Sequence, residues 1–127
     1  MKPIYLLFLF LLGAYAVKSQ VVLNEFSASN HDYQDFDAGF DDEYADWIEL
    51  YNPTGADIDV GGYFLSDEIE NPTKFEIPAG TIVSANDYLI ILATGFFEIN
   101  PYMYGYLNTS FKITQTKPEA VIFTDNN

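Results

Sequence analysis

The stretch Asp46-Trp47-Ile48-Glu49-Leu50-Tyr51-Asn52 decides the fold class. Side chains on an extended strand alternate between two faces, so Trp47, Glu49 and Tyr51 share one side and Asp46, Ile48, Leu50 and Asn52 the other. Ile48 and Leu50 are therefore the core contributors. Trp47 and Tyr51 either cover the sheet or line a surface patch. Glu49, set between two aromatics, reads as the acceptor of a structural hydrogen bond rather than as a ligand. Pro53-Thr54-Gly55 ends the strand, because Pro cannot donate to a ladder and Gly tolerates a turn conformation.

Outward from this strand the same texture repeats, and no long segment carries a helical stripe. Short β-branched and aromatic runs occupy residues 20–26, 57–60, 63–66, 73–77, 81–83 and 88–93. They are separated by turn signals such as Gly61-Gly62, Asn71-Pro72 and Pro78-Ala79-Gly80. The run at 88–93 (YLIILA) is apolar on both faces, which predicts a strand in the middle of a sheet. Residues 94–107 read as a Tyr- and Gly-bearing loop, and 108–113 and 119–123 as two further strands. Short strands at this spacing predict an all-β, two-sheet sandwich. Asp125-Asn126-Asn127 reads as the opening of a turn, so an edge strand is expected to be missing.

The amino terminus has a different character. Lys2 is followed by thirteen apolar residues at 4–16 (IYLLFLFLLGAYA) and then by small residues. A helix of that length rises about 20 Å, short of the roughly 30 Å needed to cross a bilayer, so the pattern predicts a cleavable signal peptide. Cleavage after Ala16 or after Ser19 both fit. The second is preferred because the first strand begins at Gln20, giving a signal peptide at 1–19 and one domain at 20–127. Export predicts a secreted or cell-envelope location, with no transmembrane span after cleavage.

Cleavage after Ser19 removes Lys2 and Lys18, leaving 3 basic and 19 acidic side chains, a formal charge of −16 against −14 for the whole chain. Such a field repels phosphate backbones and argues against direct nucleic-acid binding. Cations, basic proteins and neutral glycans remain compatible. Cysteine is absent, so disulfides and thiolate metal sites are excluded and the domain must hold by burial and strand pairing. The 21 Phe and Tyr residues supply large side chains for that burial.

In order along the chain, Val22-Leu23-Asn24-Glu25-Phe26, Asp46-Trp47-Ile48-Glu49-Leu50-Tyr51-Asn52-Pro53 and Gly62-Tyr63-Phe64-Leu65-Ser66-Asp67 form a recognisable set. Asn71-Pro72-Thr73-Lys74-Phe75, Ile77-Pro78-Ala79-Gly80-Thr81, Tyr88-Leu89-Ile90-Ile91 and Leu107-Asn108-Thr109-Ser110-Phe111-Lys112-Ile113 complete it. The set resembles the lamin-tail domain, in particular the versions found in exported bacterial proteins. The resemblance implies an immunoglobulin-like β-sandwich used as a non-catalytic interaction or scaffolding module for protein or glycan partners. It transfers no catalytic residues. The alternative is an accessory domain of a larger exported enzyme, a nuclease or phosphoesterase, whose catalytic part is not in this chain. A heptad rod, which precedes the domain in nuclear lamins, is not visible in the sequence.

The chemistry-bearing candidates are few. Asp35, Asp37, Asp41, Asp42 and Glu43 alternate in a Gly-containing loop and could converge on Ca²⁺, the one cofactor the sequence suggests. Gly39, Phe40 and Asp46 break the EF-hand pattern, so a site there would have another geometry and would make the chain a Ca²⁺-dependent adhesion module. Asp67-Glu68-x-Glu70 reads as a turn. His31 stands alone, without a partner set for zinc or a triad. Trp47, Tyr51, Tyr102, Tyr104 and Tyr106 form the candidate aromatic binding patch. The aromatic-dense segment 96–106 is expected to cap one end of the sandwich, with an exposed partner patch as the alternative. Asn108-Thr109-Ser110 matches a glycosylation sequon.

Overall fold

The computed structural model describes residues 20–28, 45–103, 105–113 and 120–125. The proposed signal peptide at 1–19 lies outside them, as do His31, Tyr104 and the acidic loop with Asp35, Asp37, Asp41, Asp42 and Glu43.

The strand expected at residues 46–52 forms over Trp47–Tyr51. β2 (Trp47–Tyr51) buries Ile48 and Leu50 completely and leaves Trp47, Glu49 and Tyr51 half-buried on the other side. It lies between β1 (Val22–Ser27) and β7 (Tyr88–Leu92), antiparallel to both. With β8 (Tyr102–Met103) and β9 (Tyr106–Asn108), β7 is central to the five-stranded sheet β1-β2-β7-β9-β8, where its doubly apolar sequence belongs.

The second layer is divided. β4 (Phe64–Ser66) lies between β5 (Phe75–Glu76) and β10 (Ile122–Thr124), while β3 (Ile58–Asp59) pairs with β6 (Ile82–Val83). The break has a local cause. Gly62 takes φ 82°, and at Gly61 a Cβ would fall 2.6 Å from the Ala79 Cα, so the chain bends where two backbones nearly touch. Backbone bonds from Val60 N to Thr81 O (2.9 Å) and Gly62 N to Ile77 O (2.8 Å) carry the pairing across the bend.

Val21, Ile48, Leu50, Val60, Leu65, Phe75, Ile77, Val83, Ile91, Ala93, Leu107, Phe111 and Ile113 form one core between the layers. Burial at roughly 25 cal/mol per Å² of apolar surface is its main source of stability, as a cysteine-free domain requires. Where two strands of the large sheet end, Asn52 and Asn108 are fully buried. Asn52 donates to the carbonyls of Ala56 (2.8 Å) and Val83 (2.9 Å) and accepts from the Thr54 amide (3.0 Å). It thus stands in for missing backbone partners in the turn after β2.

Two expectations are corrected in the last third. The segment read as one loop contains β8 (Tyr102–Met103) and β9 (Tyr106–Asn108), and β9 runs parallel to β7. Residues 109–113, read as strand, form only an isolated bridge from Lys112 to Thr94. There the Thr109 hydroxyl donates to the Phe111 carbonyl (2.6 Å) and competes with a ladder. Within the described residues β10 closes the three-stranded sheet at one edge.

Candidate interaction surface

Of the five aromatic residues singled out from sequence, Trp47, Tyr51, Tyr102 and Tyr106 lie among the described residues. Trp47 and Tyr106 pack with Ile90 against buried Leu92 and Ala45, making a second small apolar cluster on the outer face of the large sheet. Tyr51 stacks on Tyr88, its cross-strand neighbour, with ring centroids 4.6 Å apart and an interplanar angle of 27°. Tyr102 is 55% exposed on β8, at the sheet edge. Sequence reading missed Tyr88, because its place opposite Tyr51 depends on register and not on spacing along the chain.

On the same outer face β1 carries a bulge between Leu23 and Glu25. The extra residue, Asn24, donates its amide to the Glu49 carboxylate at 2.6 Å, which is the structural hydrogen bond expected for Glu49. Glu25 is the direct neighbour of Glu49 across the strands. Two carboxylates placed opposite each other repel, and the amide partly offsets this.

The loop at 94–102 both caps and displays. Phe97 packs edge-on against buried Phe75 at 4.9 Å, as the capping expectation required. Phe96 is 37% exposed, and Ile99 projects into solvent at 81% exposure. The backbone beneath them is tied down. The Asn108 amide donates to the Asn100 carbonyl (2.9 Å), its Oδ1 accepts from the Thr94 hydroxyl (3.2 Å), and the Asn108 N–H donates to Pro101 O (2.8 Å). Ile99 N and Asn100 N both donate to Phe96 O, at 2.9 and 2.8 Å, closing a tight turn. With its side chain buried and bonded, Asn108 cannot carry a glycan in the folded protein.

The second acidic group is occupied from within the chain. The Lys74 ammonium lies 2.7 Å from Asp67 and 2.9 Å from Glu68, with the Phe111 ring centroid at 5.5 Å. Burial pulls its pKa down, but the hydrogen bonds and charges of Asp67 and Glu68 outweigh that and raise it above the ordinary 10.5. Among the described residues no group of three His, Cys, Asp or Glu side chains is placed to hold a metal ion. No described helix is long and apolar enough to cross a membrane.

Short strands in two layers around one apolar core define an immunoglobulin-like β-sandwich. The family model for the Lamin Tail Domain matches residues 15–127, and the chain belongs to that family. Domains of this family are non-catalytic interaction modules. No curated protein and no solved structure matches the chain.

Proposed function

We propose that this lamin-tail domain is an exported interaction module that docks a protein partner through the loop at 94–102. One observation carries the reading: Phe96, Ile99 and Tyr102 are exposed on a backbone fixed by the buried Asn108. Exposed apolar groups on a preordered loop lose little further entropy when a partner covers them, and such residues dominate interface energetics. The apolar start at 4–16 supports export, and the absence of cysteine suits a fold that needs no oxidative step.

A photo-crosslinking residue placed at Ile99, in the cells that export the protein, tests the docking role. It should give a discrete adduct that disappears in F96S/Y102S, while the same residue at exposed Ile69 gives none. Equal labelling from both positions would remove the loop from the account. The mass of the exported product tests the address, and a chain beginning at Gln20 is expected. For the acidic loop at 35–43 we keep the Ca²⁺ proposal, which requires the melting temperature to rise in millimolar Ca²⁺.

A further inference from the structure

The outer face of the large sheet has a composition that the loop does not explain. Across β1, β2 and β7 it presents Glu25 and Glu49 beside the stacked pair Tyr51 and Tyr88, with Tyr88 52% exposed. No basic residue lies in these three strands, and the chain contains no arginine at all. Elsewhere the same elements already hold a cation. Lys74 sits between the Asp67 and Glu68 carboxylates over the Phe111 ring. Lys112 stands 5.7 Å from the centroid of Phe96. The outer face repeats this combination of paired carboxylates and aromatic ring, and among the described residues both lysines, Lys74 and Lys112, are placed elsewhere.

We propose that the outer face is a docking surface for a basic polypeptide segment, whose Lys or Arg side chains lie against Tyr51 and Tyr88 and pair with Glu25 and Glu49. Cations are attracted to tyrosine faces and form charge-assisted hydrogen bonds with carboxylates. A formal charge of −14 on the chain adds long-range attraction for a basic partner and repels an acidic one. The β1 bulge sets the geometry. Asn24 holds Glu49 in place, so one carboxylate is already oriented while the exposed Glu25 can swing to meet a second charge. The proposal rests on the domain being a binding module, but not on the 94–102 loop.

The test is a titration of the folded chain with a short alternating Lys/Ser peptide, followed by NMR. Shifts are expected at Tyr51, Tyr88 and Glu49, and none with the Glu/Ser counterpart. E25Q/E49Q should weaken binding about tenfold or more. E70Q/E76Q, which removes two charges from exposed sites elsewhere, should leave it within about twofold at moderate salt. Circular dichroism on both variants confirms folding. Shifts spread over all acidic residues, with equal loss in both double variants, would overturn the proposal and leave only a diffuse field effect. So would a neutral hexose oligomer that moves the tyrosine signals when the peptide does not. F96S/Y102S should still bind the peptide at full strength. Loss of binding in that variant would place the site on the loop instead and overturn the proposal, whereas a failed crosslink at Ile99 with peptide binding intact would overturn only the loop reading.

Discussion

Strands β2 and β7 have two faces made by the same ten residues, and the faces obey different rules. Inward, Ile48, Leu50 and Ile91 are fully buried in the main core. Outward, the register pairs Trp47 with Leu92, Glu49 with Ile90 and Tyr51 with Tyr88. That second row runs from a closed apolar cluster at one end to an open aromatic and acidic surface at the other. Stability is concentrated on the inner side, which leaves the outer row free to vary with what the domain must touch.

The largest effect should come from the inner face. Leu50→Ala is expected to cost about 2–5 kcal/mol in chemical denaturation, through lost burial and the cavity left behind. A cost below about 1 kcal/mol would show that the two faces contribute alike. Leu92→Ala sharpens the contrast, because Leu92 belongs to the outer row yet is almost fully buried. It should cost about 2–4 kcal/mol, marking the outer face as two regions with a boundary near Ile90. At the open end, Tyr88→Ser should cost only about 0.5–1.5 kcal/mol, chiefly the lost ring pairing with Tyr51. A much larger loss would mean that this end is structural and would weaken the docking proposal.

The smallest effect lies on neither face. Lys74→Met should cost under about 1 kcal/mol, since Glu68 is nearly half exposed and solvent screens the pair. The direction with pH follows from the raised pKa of Lys74. A lysine whose pKa is raised by folding stabilises fully below its unfolded value and loses that contribution as pH climbs through the folded one. The wild-type advantage over K74M should therefore be constant through neutral pH and vanish above about 10.5. Parallel thermal melts of both proteins measure it.

Most of this architecture was written in local patterning. The alternation in Asp46-Trp47-Ile48-Glu49-Leu50-Tyr51-Asn52 set both faces of β2, and the apolar run at 88–93 gave its central neighbour. The legible part of the surface was the part that depends on one strand at a time. The Tyr51–Tyr88 stack and the Asn24–Glu49 contact required cross-strand register and a bulge, and neither leaves a mark along the chain. β8 and β9 escaped notice because two or three residues are too few to show a period, and Gly105 separates them. The exposure of Ile99 was hidden for a different reason. An aromatic-rich loop reads as buried until the hydrogen bonds of Asn108 fix which side chains it turns outward.

Burial of Asn108 also bears on how the protein can be manufactured. In a secretory host that attaches oligosaccharides to sequons during translocation, the enzyme meets Asn108-Thr109-Ser110 before the sheet has formed. A sugar tree on that amide would occupy the space of two hydrogen bonds and block the closing of β9 against β7. Each modified molecule would be a dead end for folding, bound for quality-control disposal. Replacing Ser110, the exposed third residue of the sequon, by alanine erases the acceptor signal while leaving the buried asparagine untouched. The yield gained by that one change in a glycosylating host measures how early in its life the chain commits to its final packing.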